Sequence, residues 1–184
     1  MSETVYIGLG SNIGDRLDYC CRAVTLLSLL PSSQVMGVSS LYETEPVSDG
    51  TDPGDGWFLN GVVALDCMLS PRHLLSFLRE IERALGRDLD HRGGPRTLDL
   101  DLLAYGRRVV QEPDLIIPHP RLAHRRFVLL PLSEVAADWV HPVLNLSVKQ
   151  MVDQLTDHSV VRLFAPPPPL RFGSRAGSPT GFGA

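Results

Sequence analysis

Hydrophobic positions along this chain alternate between two periods, one of strands and one of helices. Val5-Tyr6-Ile7-Gly8-Leu9 is a short apolar run of the kind a buried strand makes. Leu17, Cys20, Cys21, Val24, Leu27 and Leu30 then recur at helical spacing. Asp15 suits an N-cap and Pro31 a stop, so the spacing predicts a helix over 16–30. Val35 to Tyr42 is a β-type run that ends near Thr44-Glu45-Pro46, and residues 48–56 are dense in turn formers, predicting a mobile loop. Phe58 to Leu65 returns as a strand, antiparallel to the one before. Ser70-Pro71 opens a second helix, Leu74, Leu75, Leu78, Ile81 and Leu85 give it an apolar face, and Gly86 ends it. A Gly- and Arg-rich loop over 87–96 leads into a strand from Thr97 to Tyr105, after which Gly106-Arg107 turns the chain towards Val109-Val110. Short helices follow around Arg125 to Ala136 and near Val148 to Leu155.

The order βαββαβ predicts an α+β fold, a ferredoxin-like α/β sandwich with a mainly antiparallel sheet and flanking helices. With 184 residues there is material for one domain, expected over 1–164. Four consecutive prolines and a Gly/Ser/Arg-rich stretch make 165–184 a disordered tail in this reading.

Composition narrows the function mainly by exclusion. A net charge of -4 gives no electrostatic case for nucleic acid as a partner. No apolar run approaches the roughly 18 residues of a membrane span. The N-terminus lacks the pattern of a signal peptide. Three cysteines, two of them adjacent (Cys20 and Cys21), are an odd set without metal-site spacing. They read as reduced thiols in the cytoplasm. The expected state is a monomer.

The chemistry concentrates in Gly94-Pro95-Arg96-Thr97-Leu98-Asp99-Leu100-Asp101. Residues two apart in a strand share a face, so Thr97, Asp99 and Asp101 lie together while Leu98, Leu100 and Leu102 point into the core. Two carboxylates about 7 Å apart repel unless a cation lies between them. Mg²⁺ suits this arrangement, because it takes one or two carboxylates and completes its shell with water and phosphate oxygens. A lone D-x-D would more often be a solvated strand face. Here Arg87, Arg92 and Arg96 lie just upstream, placing cations for phosphate beside carboxylates for metal. His119-Pro120-Arg121 and His124-Arg125-Arg126-Phe127 add further phosphate donors.

Gly8-Leu9-Gly10-Ser11-Asn12-Ile13-Gly14 lies between a strand and a helix, where a dinucleotide-binding loop would lie. The following strands look hairpin-connected instead of parallel, and the first acidic residue near a strand end, Glu43, comes about 30 residues on instead of about 20. The glycines are therefore expected to form a tight turn close to the substrate pocket. There is no G-x-x-x-x-G-K-[ST] either, which removes the P-loop kinases.

Together these strings resemble the 6-hydroxymethyl-7,8-dihydropterin pyrophosphokinases of folate biosynthesis. The resemblance runs from Tyr6 to about Leu155. It is carried by Ile7 to Asp15, Ser39 to Pro46, Phe58-Leu59-Asn60, Glu82 to Arg87, Gly94 to Asp101 and Pro118-His119-Pro120-Arg121. It implies transfer of pyrophosphate from ATP to the pterin's hydroxymethyl oxygen, leaving AMP. Asp99 and Asp101 would hold two Mg²⁺ ions, and with Arg87 and Arg96 would form the catalytic set. Glu82, Arg87, Arg92, Arg96, His119 and Arg125 would contact ATP, Glu82 towards the ribose or base. Thr44, Pro46, Val47, Phe58, Asn60 and Phe127 would line the pterin pocket, with the two phenyl rings on either side of the substrate. Gly93 stands where many members carry tryptophan. Other readings of the acid pair are a second kind of magnesium phosphotransferase or nuclease, and a binding module without catalysis.

Overall fold

Residues 1–46, 56–87 and 96–170 are described by the computed structural model. The chain runs β1 (Glu3–Ser11), α1 (Arg16–Ser28), β2 (Ser33–Val38), β3 (Leu41–Thr44), β4 (Phe58–Cys67) and α2 (Pro71–Ala84). It continues with β5 (Asp99–Tyr105), β6 (Val110–Glu112), β7 (Leu115–Ile117), α3 (Arg126–Ala136), α4 (Val148–Asp153) and β8 (Val161–Ala165). The main sheet has the order β5-β1-β4-β3-β8, and β2 also pairs with β4. Every pairing in it is antiparallel. If β2 and β3 are counted as one interrupted strand, the βαββαβ core has the order fourth, first, third, second. That is the ferredoxin-like arrangement the sequence predicts.

Alternation along the strands divides the core in two. Val5, Ile7 and Leu9 of β1, Leu59, Val63 and Leu65 of β4, and Leu98, Leu100 and Leu102 pack against α1 and α2. Tyr6, Val62, Ala64, Leu103 and Ala104 face the other way, against Val128, Leu129 and Leu132 of α3 and Val148 and Met151 of α4. Neighbouring Leu103 and Ala104 share a face because the β1–β5 register shifts there: Tyr6 opposes Ala104 and Ile7 opposes Leu102. Leu103 is the extra residue of a β-bulge.

The helix signals act as read. The Asp15 carboxylate accepts from the Asp18 N–H at 3.0 Å and the Ser70 hydroxyl from His73 N–H at 3.3 Å. Gly86 ends the α2 region in the left-handed conformation, φ 85°, which a side chain would strain. That turn lets the Arg87 N–H bond the Glu82 carbonyl at 3.0 Å and sends the chain back along the helix end.

Several boundaries differ from the sequence reading. The run Val35–Tyr42 is two strands, because Ser39 interrupts it: its hydroxyl accepts from the Val62 N–H at 2.8 Å in place of a backbone carbonyl. The strand expected from Thr97 starts at Asp99, and α1 stops at Ser28. β8 is absent from the sequence reading, because an edge strand with three exposed positions carries almost no hydrophobic pattern. It moves the predicted tail boundary: Ala165 pairs with Leu41, Pro168 is buried and Leu170 packs on the core. The remainder of that tail, 171–184, lies outside the described residues, as do 47–55 and 88–95. All three cysteines are free, and no described helix is long and apolar enough to cross a membrane.

Ser39 is fully buried, and its removal leaves the Val62 N–H without an acceptor. Ser39→Ala should therefore cost about 1–3 kcal/mol of unfolding free energy, read from urea midpoints. An unchanged midpoint would show that the β2–β3 break is held by something else.

Candidate active site

The acid pair lies on the α3 face of an edge strand. β5 ends the sheet, so only β1 lies beside it. Gly8 opposes Asp101 and Gly10 opposes Asp99 in that pairing, while Gly10 on its other side opposes Asn60. Directly paired residues share a face. Between the two aspartates and Asn60, then, β1 presents no side chain at all. Strands about 4.8 Å apart put the acidic bank about 10 Å from the amide-bearing one, across a glycine-floored groove that Leu103 and Asn60 narrow: they come 3.4 Å and 2.8 Å from where Cβ atoms on Gly8 and Gly10 would sit. The expectation of a tight turn for these glycines is corrected: Gly8 and Gly10 belong to β1, and only Gly14, φ 66°, makes the turn.

On the acidic bank, Asp99 is held by two arginines. Arg96 Nη1 donates to Asp99 Oδ2 at 2.6 Å, and Arg87 Nη1 donates to Asp99 Oδ1. The same Arg87 nitrogen also bonds Glu82 Oε1. Burial pulls the Arg87 proton affinity down, but Asp99 and Glu82 more than offset it, so the guanidinium stays charged. Asp101 is pushed up to about 6, by burial first and by the Asp99 charge next, although Arg125, Arg87 and Arg96 oppose the shift. The three cations thus do not offset burial and the Asp99 charge together.

Glu82, expected among the ATP contacts, lies buried beside the acidic bank. It is only 4 % exposed, and besides Arg87 its carboxylate accepts the Leu100 N–H at 2.7 Å. That N–H belongs to the residue between the two aspartates. Burial raises the Glu82 pKa, against the lowering effect of these donors. Both of these bonds fall on Oε1.

His119 is tethered to β5 through its N–H, which donates to the Leu103 carbonyl at 2.8 Å. Its Nδ1 accepts the Arg121 N–H at 3.2 Å, which leaves Nε2 to carry the proton of the neutral ring. Burial, then Arg125 and Arg121, lower its pKa to about 4, so a neutral Nε2–H donor is present throughout the physiological range. Arg125 precedes α3 and lies 5.3 Å over the Phe127 ring.

On the amide bank, Asn60 Nδ2 donates to Thr44 Oγ1 at 2.7 Å, and both residues are buried. Phe58 opposes Thr44 and shares the α3 face with Asn60. Phe127 stands in the first turn of α3, against the core on that same face. The structure therefore gathers Arg87, Arg96, Asp99, Asp101, His119 and Arg125 at one bank and Thr44, Phe58 and Asn60 at the other. Pro46 is half-buried at the end of the described segment, and Val47, Arg92 and Gly93 lie outside the described residues.

Asn12, from the glycine string, has a part that the sequence does not show. Its side-chain carbonyl accepts the Arg96 N–H at 2.7 Å and its own N–H donates to the Arg96 carbonyl at 3.2 Å. This double clamp seats Arg96 beside Asp99. Only the pairing of chain segments 84 residues apart reveals it. A separate cavity of 390 Å³, lined by Asn12, Arg16, Glu43, Gly56, Trp57 and Arg162, opens on the α1 side. Tyr42 points to Glu134 of α3, so neighbouring Glu43 faces away from the groove and the cavity shares only Asn12 with the acidic bank.

Among the described residues no cluster of three or more His, Cys, Asp or Glu side chains could hold a metal. A site of two carboxylates ringed by arginines fits a hard divalent cation that brings phosphate oxygens as its remaining ligands. Fold and site together define a phosphoryl-transfer enzyme of the α+β sandwich class. The family model for 7,8-dihydro-6-hydroxymethylpterin-pyrophosphokinase (HPPK) matches residues 6–137. The chain is 45% identical over 135 residues to a 2-amino-4-hydroxy-6-hydroxymethyldihydropteridine pyrophosphokinase of Bacillus subtilis, covering 73% of this chain and 79% of that one. It is 36% identical over 160 residues to the Haemophilus influenzae protein of the same name, covering 87% and 98%. It also matches the folic acid synthesis protein fol1 of Pneumocystis carinii, 40% identical over 159 residues, 86% of this chain but only 21% of that longer protein. Plasmodium falciparum HPPK-DHPS has a similar fold, with TM-score 0.62 at 15% identity, covering 84% of this chain and 45% of that one. This chain belongs to the HPPK family and is a pyrophosphokinase of folate synthesis.

Two outcomes test the geometry. Because the folded state binds the Asp101 proton more tightly than the unfolded chain does, this group favours folding below about pH 4 and loses that contribution as pH rises through about 6. Asp101→Asn should thus stabilise the metal-free protein by about 1–3 kcal/mol at pH 8, shrinking towards zero near pH 4. Urea midpoints measured in chelator at both ends decide it, and an equal gain at both would refute the strained pair. A Cβ on Gly10 would sit 2.8 Å from Asn60 Oδ1. Gly10→Ala should weaken pterin binding by about tenfold while leaving nucleotide binding near wild type, as calorimetry would show.

Proposed function

We propose that the protein catalyses a magnesium-dependent transfer of the β,γ-pyrophosphoryl group of ATP to the hydroxymethyl oxygen of 6-hydroxymethyl-7,8-dihydropterin, releasing AMP. The observation that carries this reading is the glycine-floored groove with Asp99 and Asp101 on one bank and Asn60 and Thr44 on the other. Asp99 and Asp101 would hold two Mg²⁺ ions, which when bound neutralise polyphosphate charge and make the hydroxymethyl oxygen a better nucleophile.

The chain's own groups supply position and charge. Asn60 offers an amide oxygen and a second N–H to the amide edge of a pterin. Phe58 and Phe127 offer ring faces to a flat heteroaromatic substrate. The pterin ring would lie between Phe58 and Phe127 at the amide bank, with its substituent towards the acidic bank. Arg87, Arg96 and Arg125 meet the phosphates as charge-assisted donors, and the His119 Nε2–H adds a neutral donor that does not titrate near pH 7. Arg92 completes the phosphate contacts in this reading. Phosphoryl transfer asks little covalent chemistry of the protein, so alignment and charge compensation carry the rate.

A single assay tests the reaction. With Mg²⁺, ATP and 6-hydroxymethyl-7,8-dihydropterin, the nucleotide product should be AMP and should depend on the pterin. ADP as product, or turnover that continues in chelator, would overturn the reading. Asp101→Ala should lower kcat by at least 10³-fold with the circular-dichroism spectrum unchanged. Wild-type turnover in that variant would remove Asp101 from the metal site.

A further inference from the structure

The buried carboxylate of Glu82 is doubly employed at a point where no substrate atom is needed to explain it. It caps the outward N–H of Leu100 on edge strand β5, fixing the segment from which Asp99 and Asp101 project. It also binds Arg87, the guanidinium that bridges across to Asp99. The Gly86 turn and the bond from Arg87 N–H to the Glu82 carbonyl bring these two side chains together from the end of one helix. Asp99, by contrast, has two demands on it: two arginines take its oxygens in this structure, and a metal would need them.

We propose that Glu82 is a positioning residue that holds Arg87 at the phosphate-binding bank, so that Arg87 keeps a carboxylate partner when Asp99 is committed elsewhere. The physical reason is the difference in burial. Asp99 is 24 % exposed and can exchange one cation for another, whereas the Glu82 side chain is 5 % exposed, so losing Arg87 would leave a buried charge without its cation. Arg87 therefore turns about a fixed anchor, with its remaining N–H groups free for polyphosphate oxygens. This rests on the reading of the acidic bank as a Mg²⁺-polyphosphate site, and it replaces a direct contact of Glu82 with ribose or base.

Glu82→Gln is the informative change, because glutamine keeps an oxygen for the Leu100 N–H and removes only the charge that holds Arg87. Binding is measured by calorimetry with a non-hydrolysable ATP analogue and with inorganic tripolyphosphate, each with Mg²⁺. The wild type should bind both. The variant should bind both about tenfold more weakly, by a similar factor, with a melting temperature no lower than wild type. In an Arg87→Ala background, Glu82→Gln should change either affinity by less than twofold. Effects that simply multiply in the double variant would overturn the inference, as would loss of analogue binding with tripolyphosphate binding intact, which would return Glu82 to the ribose or base. Should the wild type fail to bind Mg²⁺-tripolyphosphate at all, the site reading itself would fall instead. If Glu82→Gln does not fold, Asp99→Asn gives the same information: NMR of the Arg87 guanidinium should still show hindered rotation there, and free rotation would contradict the anchor.

Discussion

Two carboxylates on one face of one strand are the constraint around which the rest of this end of the molecule is arranged. Asp99 and Asp101 cannot both be charged and half-buried without compensation, and the structure meets that need from three separate segments. Arg87 comes from the end of α2, Arg96 from the approach to β5, and Arg125 from the start of α3. Even so, Asp101 remains short of compensation, with its pKa near 6. A carboxylate left in this state makes the site less stable than the fold could make it.

Each arginine needs a support of its own, and these supports explain features that otherwise look incidental. The left-handed Gly86 returns the chain so that Arg87 meets Glu82. The Asn12 clamp ties Arg96 to the end of β1. The Leu103 carbonyl, at the bulge, holds the backbone of His119. None of these groups need touch a substrate, yet each fixes one that would. In phosphoryl transfer, where rate comes from alignment and preorganised charge, such supports matter as much as the contacts they place.

The groove is made by what β1 lacks. Gly8 and Gly10 share a face with Asp101, Asp99 and Asn60, so the central strand lets the Leu103 and Asn60 side chains settle where its own would stand. On the other face the same strand contributes Val5, Ile7 and Leu9 to the larger core. One strand thereby anchors the sheet on one side and opens a binding surface on the other. The 390 Å³ cavity lined by Asn12, Arg16 and Glu43 meets this surface only through Asn12.

Much of this was legible in the sequence. Alternation in Leu98 to Leu102 puts the acids on one face, the caps at Asp15 and Ser70 mark the helix starts, and the strings from Ile7 to Arg121 point to the family. These are local properties, set by strand period, capping chemistry and residue type within a few positions. The sequence did not show that Gly8 and Gly10 floor the groove, because the i, i+2 glycines and the i, i+2 aspartates only acquire meaning when β1 and β5 pair. Nor did it show that Asn12 seats Arg96, that Ser39 breaks a strand, or that β8 closes the sheet edge. Glu82 looked like a ligand for the nucleotide by its place in a motif. Its burial against the Leu100 N–H and Arg87 is a product of long-range packing that no local pattern shows.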